Sequence, residues 1–361
     1  MKRPVKSRVR FWLLAALALP AVAFPAFEAV ARKKPVIEAP PPPPPPPPPG
    51  PVGLPREMIA DAAAYEAFVT RAAAVSPAFA SPAQVQDSLK VAAAYEPKAL
   101  IRGAVAYGAI AALEAPDFVA DVRAHGATPE DRRLLVNAII ADPATVFAFK
   151  GSDRAAGLAR QAIGAAGMRL YDAGKAVKQA SYDVQHQAWS KLDVVDRPGR
   201  LAAVKASSSA PLAPAADQAS ALAQIISSGG SLGLAADPDA PPYPTLLARA
   251  LQLAAIAALG EAGEDAYQRL TYLTYEGTTD DCLDRAKLNL FQCLAVARPN
   301  YEDIFCAGQH AMQDTGECLA RGAGVPVPLV IDTPEPLRVP PLGATRTVRR
   351  AVHRPIRRRR G

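Results

Sequence analysis

Between residues 55 and 205 the apolar positions recur at helical spacing, and prolines interrupt them at near-regular intervals. The breaks fall at Ser76-Pro77, Ser81-Pro82, Glu96-Pro97, Ala115-Pro116, Thr128-Pro129 and Asp142-Pro143. Proline has no amide hydrogen to give a helix interior. In the first turn that hydrogen has no acceptor anyway, so a proline behind a capping residue marks a start. The pattern predicts helices over 57–75, 83–95, 97–114, 117–124, 130–141 and 144–150, then a longer one over 153–192. Alternation of β-branched residues hardly occurs, so strands are not expected.

The long segment carries Gly157, Gly164, Gly167 and Gly174, which fall within roughly 100° of arc on a helix. Glycine inside a helix costs about 1 kcal/mol relative to alanine. Close approach of a partner helix is the expected compensation. Arg160, Gln161, Arg169, Asp172, Lys175 and Lys178 interleave the stripe and argue against a membrane span.

Residues 206–242 are rich in Ser, Ala, Pro and Gly and read as a flexible linker with one short helix at 216–227. Helices resume at 245–259 and 263–276. The apolar run following Arg249 is too short to cross a bilayer and reads as a buried core helix. Residues 280–296 place Leu283, Ala286, Leu288, Leu290, Phe291, Leu294 and Ala295 among charged positions, an amphipathic helix. Arg298-Pro299-Asn300 breaks it, and a second helix runs from 300 to near Gly316.

These two helices hold all four cysteines. Cys282 and Cys293 are eleven residues apart and lie within roughly 20° of one helix face. Cys306 and Cys318, twelve apart, drift by roughly 120° on a continuous helix, unless Gly316 ends it early. An antiparallel hairpin would pair Cys293 with Cys306 and Cys282 with Cys318. Sequential pairing would need Cys282 and Cys293 to meet across about 16 Å of helix, where a disulfide needs Cα atoms roughly 4.4–6.8 Å apart. The arrangement resembles the twin-cysteine helical hairpins of small mitochondrial intermembrane-space proteins over some 40 residues. The spacings here are x10 and x11 where that family has x9 twice, so the likeness is one of geometry. Zinc is the rival reading, but there is no CxxC pair and His310 is the only nearby histidine. Four free buried thiols are the remaining alternative.

The ends of the chain bear on where it works. Five basic residues precede an apolar stretch of 17 residues, Phe11–Phe27, broken by Pro20, and Ala-Val-Ala ends at Ala23 and again at Ala31. That is a secretory signal pattern, with an uncleaved anchor as runner-up. The expected location is the periplasm or outside, or the inner membrane facing the periplasm, and an oxidising compartment suits the clustered cysteines. Arg32-Lys33-Lys34 and ten prolines, Pro40 to Pro49, follow as a stiff spacer of roughly 30 Å. The segments are thus 1–31 signal, 32–54 spacer, 55–205 N-terminal helical domain, 206–242 linker, 243–322 C-terminal helical domain and 323–361 disordered tail. The whole is all-α, with a disulfide-stapled hairpin flanked by disordered Pro-rich and Arg-rich segments.

Charge is divided along this map. The formal net charge is +7, yet residues 35–345 hold 25 basic against 33 acidic residues, −8. The tail holds Arg346, Arg349, Arg350, Arg354, Arg357, Arg358, Arg359 and Arg360 and no acid after residue 345. Such a run suits an anionic envelope polymer or lipid. An exported chain seldom meets nucleic acid, and a protein partner stays open. Membrane contact at the N-terminus follows if the signal is retained.

Candidate chemistry is sparse. His125, His186, His310 and His353 show no metal-ligand spacing, and there is no phosphate loop or acidic calcium loop, so no cofactor or metal is expected. Gly229-Gly230-Ser231-Leu232-Gly233 matches G-x-S-x-G, but a nucleophile elbow needs a strand before the serine, and here an alanine-rich segment precedes it. Asp280 and Asp281 look like a catalytic pair, and Glu302, Asp303 and His310 like a pocket lining. Acidic residues in first turns of helices explain most of these. The sequence favours a non-catalytic envelope structural or interaction protein. A periplasmic hydrolase, esterase-like on Ser231 or glycan-cleaving on a carboxylate, is the alternative.

Overall fold

The computed structural model describes residues 47–214 and 216–328. Those residues are predominantly helical, with thirteen α-helices and no strand among them. Helices α1 (Arg56–Ala73), α2 (Pro82–Ala93), α3 (Pro97–Ala112), α4 (Pro116–His125) and α5 (Pro129–Ala141) each begin at or just after a proline. The side chains of Ser81, Glu96 and Thr128 accept first-turn amides of α2, α3 and α5, which supplies the partners a helix start lacks. A 3-10 turn at Pro143–Ala148 leads into α6 (Ser152–Asp183). Then come α7 (Arg197–Ser209), α8 (Ala216–Ser228), α9 (Thr245–Ala258), α10 (Tyr267–Thr271), α11 (Gly277–Val296), α12 (Asn300–Cys306) and α13 (Asp314–Gly322).

The pattern is departed from at α10, where the helix expected over 263–276 is reduced to Tyr267–Thr271 between 3-10 turns at Glu264–Ala266 and Tyr272–Thr274, and at two further helices. The long helix stops at Asp183, not at residue 192, because the Ser190 hydroxyl turns back onto the carbonyls of Val184 and Gln187. The chain then runs beside residues 298–300, with the Val194 amide on Arg298 O and the Asn300 amide on Leu192 O. Helix α7 was not expected. Its start signal was present in the sequence: Asp196 accepts the Gly199 amide and Pro198 sits in the first turn.

One cluster of buried residues runs from Leu54 to Ala323, drawing on both 55–205 and 243–322. Contacts divide the chain at Pro45, and all described residues fall in the unit Pro46–Gly361. Helix α9 lies at the centre, buried without a break from Ala250 to Leu259. Its one polar residue there, Gln252, donates to Ile139 O and accepts from Arg249. Among the described residues no single helix is long and apolar enough to cross a membrane.

The glycine stripe of α6 serves close packing, on two kinds of neighbour. A Cβ at Gly174 would stand 2.6 Å from the Gln313 amide nitrogen, and one at Gly167 2.6 Å from that of Ala320. Neither backbone can give way, so only glycine lets the 307–322 segment lie this close. Gly157 and Gly164 meet no helix; the Asp237 carbonyl and the Val325 side chain take those places.

Cys282 is bonded to Cys318 and Cys293 to Cys306, each pair with Cα atoms 5.7 Å apart. Gly316 does not end the second helix, which continues to Gly322. A π-helical stretch, Ala307–Gln313, lies between the two cysteines of that helix. A π turn holds roughly one residue more than an α turn, so each residue advances roughly 20° less. Over seven residues that cancels most of the roughly 120° drift and returns Cys318 to the face of Cys306.

The described parts of the expected spacer and tail, residues 47–54 and 323–328, make contacts with the body. Arg123 donates to the carbonyls of Pro49 and Gly50 at 3.1 Å and of Ala258 at 2.9 Å, fastening the end of the proline tract. Ala323 is buried, and the Val325 amide bonds Ala320 O at 2.8 Å. The signal segment, most of the proline tract and residues 329–361 lie outside the described residues.

Candidate functional site

The bend between α3 and α4 opens a large cavity. Leu113 closes α3, Pro116 starts α4, and the two axes meet at 92°. The cavity, about 1000 Å³, lies in this angle, between α4, the start of α6, α8 and the loop after α8. Ile110, Leu113, Val119, Leu158, Ile225, Ile226 and Leu234 line it beside the polar side chains of Glu114, Arg123, Arg154 and Ser231. Helix α8 contributes because its apolar positions share one face, with Leu222 buried and Ile225 and Ile226 half-buried.

Glu114, at the α3 end, ties the loop down. Its carboxylate accepts the Ser231 hydroxyl at 2.8 Å and the Leu232 amide at 2.5 Å. The loop is held again at Asp239, whose amide bonds Asp153 O at 2.9 Å and whose carboxylate meets Arg160 at 3.0 Å. Arg123 faces the cavity with its guanidinium committed to carbonyls, and Arg154 stands exposed at the rim.

Ser231 therefore sits on an exposed loop that follows a helix, and its partner is a carboxylate. The strand-to-helix turn of a nucleophile elbow is not formed. His310 lies in the π-helical stretch and bonds Asp314 at 2.8 Å. The expected trio of Glu302, Asp303 and His310 is likewise split. Asp303 is fully buried and meets Arg200 and Gln86. Glu302 accepts the Arg298 amide and lines a separate depression. Asp280 and Asp281 flank each other at the start of α11, with one Asp280 oxygen buried and unpartnered. Among the described residues no group of three or more His, Cys, Asp or Glu could hold a metal ion. The eight tail arginines lie outside the described residues.

Three side chains that the sequence did not single out matter most: Glu114, Arg200 and Lys287. Lys287 had a signal. It shares a helical face with Leu283, Leu290 and Leu294, a charge on a stripe that must be buried. Its ammonium donates to Ala93 O at 2.6 Å and Ser208 Oγ at 3.1 Å and lies 3.4 Å from the centre of the Tyr95 ring. The Tyr95 hydroxyl in turn meets Thr315 at 2.7 Å.

Burial holds the Lys287 amine well below its ordinary 10.5, against the opposing pull of Glu96. Between the lowered folded value and the unfolded one, the unfolded chain binds the extra proton. Stability from this residue is thus present above the unfolded value and is lost as pH falls through the folded one. Below the ordinary tyrosine range of about 10, where the raised tyrosines do not yet oppose it, urea midpoints of the native protein should rise with pH, and Lys287→Met should remove that rise. Parallel profiles for the two proteins would rule out Lys287 as the source.

The two disulfides suit an oxidising environment. The chain matches no protein-family model, no curated protein and no solved structure.

Proposed function

We propose that this chain is an exported helical binding protein of the cell envelope, that the cavity between α3, α4, α6 and α8 is its ligand site, and that residues 346–361 contact an anionic envelope polymer or lipid. The cavity carries the reading. About 1000 Å³ is at the upper end of ligand-sized pockets, and apolar walls with a few polar groups are their usual make-up. Glu114 and Arg123 are spent on holding the loop and the proline tract, which suits binding better than turnover. The signal pattern and the disulfides support export, to the periplasm or beyond, with the N-terminal stretch either removed or kept as an anchor.

The fluorophore 1-anilinonaphthalene-8-sulfonate, an apolar body with one anionic group, is a suitable probe. It should bind the native protein saturably. Leu234→Trp, which fills the cavity from the loop side, should weaken it about tenfold, equivalent to about 1.4 kcal/mol. Equal affinity in both proteins would move the site elsewhere. Ester hydrolysis abolished by Ser231→Ala would replace binding with catalysis.

The tail is tested separately. Exposed charges are screened over about 8 Å at physiological ionic strength. Vesicles rich in anionic lipid should hold the full chain at low salt and release it at high salt. Replacing the eight arginines of residues 346–361 with glutamine should abolish the binding, and undiminished binding would exclude the tail as the contact.

A further inference from the structure

A depression of about 350 Å³ opens where α6 ends against α11 and α12. Tyr182, Val296, Tyr301 and Phe305 form its walls and Glu302 stands beside them. Tyr182 and Val296 keep 49% and 75% of their surface exposed, and the Tyr182 and Phe305 rings lie 6.3 Å apart, edge to face. Grooves between aromatic side chains take proline-rich segments. The polyproline II helix arrives already extended, with little entropy left to lose, and its rings pack on the aromatic faces.

The chain's own course points to the occupant. After α13 ends at Gly322, Gly324 adopts φ +76° and the chain doubles back along α6. Arg160 donates to Ala323 O at 3.3 Å, Val325 fills the space beside Gly164, and the Tyr171 hydroxyl reaches the Pro328 carbonyl at 3.5 Å. Gly164 to Tyr171 is about 10 Å of helix, and Val325 to Pro328 is about 10 Å of extended chain. The two advance together, toward the C-terminal end of α6. Tyr182 lies about 16 Å beyond Tyr171 and roughly 20° from it around the axis. Five further extended residues span that distance.

The segment that begins there is 334–341, Pro-Glu-Pro-Leu-Arg-Val-Pro-Pro. Its four prolines restrict φ to the polyproline II range. Its one basic residue is Arg338, and the acidic group of the groove, Glu302, has among the described residues only Oε2 engaged, by the Arg298 amide at 2.9 Å. We propose that residues 334–341 dock into the Tyr182–Tyr301–Phe305 groove of their own chain, with Arg338 against Glu302. The groove is then a proline-recognition surface occupied in cis, and it fixes the point from which the arginine-rich residues leave the body.

Photocrosslinking of the full chain tests this. With Tyr182→p-benzoylphenylalanine, irradiation should give intrachain adducts within residues 334–341, mapped by mass. Glu302→Lys in the same chain should lower the yield about fivefold, as expected for an exposed ion pair worth up to about 1 kcal/mol, and adding Arg338→Glu should restore it. No adduct in 334–341, adducts in the proline tract 40–49, or a product of twice the chain mass would each overturn docking in cis. A yield indifferent to Glu302→Lys would overturn the Arg338 register.

Discussion

Asp303→Ala should lose about 3–5 kcal/mol of stability, the range for breaking a buried ion pair from one side. Asp303 is fully buried, and the Arg200 side chain keeps only 2% of its surface exposed. The guanidinium meets Asp303 Oδ1 and the Leu294 carbonyl, while Gln86 Nε2 takes the other carboxylate oxygen at 3.1 Å. These contacts join α2, α7, α11 and α12. Burial pushes the Asp303 carboxyl above its ordinary range, against the pull of Arg200 and Gln86, so desolvation is the largest cost in the pair. Removing the carboxylate leaves an uncompensated buried cation. The guanidinium already has an unpartnered Nε. Arg200→Met with Asp303→Leu removes both charges and fills the volume, and should recover most of the loss. Urea unfolding of the single and double variants decides it. A single variant within about 1 kcal/mol of native would mean that the pair is hydrated.

Loss of either disulfide should cost about 3–4 kcal/mol, the larger value for the outer bond, because cross-linking removes more freedom from the unfolded chain as the loop grows. Cys282 and Cys318 are 36 residues apart in sequence, Cys293 and Cys306 only 13. Against a typical total of about 5–15 kcal/mol, reduction of both should bring the C-terminal helices near unfolding. The effect should spread further. The 307–322 segment packs backbone to backbone on α6, and Thr315 holds Tyr95, whose ring covers Lys287. Hydrogen exchange after reduction should accelerate first in 277–322 and then along 167–178 of α6. In Cys293→Ser, Cys306 should become open to alkylation once unfolding begins, while Cys282 and Cys318 stay protected. A mapped peptide joining Cys282 to Cys306 would contradict this arrangement.

Most helix starts were legible in the sequence. A proline behind Ser81, Glu96 or Thr128 acts within one turn, and no distant residue changes that. The same holds for the facing of Cys282 and Cys293, which rests on helical repeat alone. The missed helix α7 carried an equally local signal, Asp196 before Arg197-Pro198, hidden among residues of low apolar content.

The candidate sites were not legible, because their parts meet over long separations. Glu114 reaches Ser231 across 117 residues, Arg200 reaches Asp303 across 103, and Lys287 reaches Ala93 across 194. A helical pattern alone would place Glu114 and Arg200 in water, and for Lys287 it gives the buried face but not what the ammonium bonds there. Only the packed fold shows which are deprived of water and what they bond instead. The π-helical stretch belongs to this second class. The Ala307–Gln313 sequence carries no local signal for a wider turn; the Cys282–Cys318 bond and the contact with Gly174 supply a reason, since together they require a rotation that an α-helix between Cys306 and Cys318 would miss by roughly 120°.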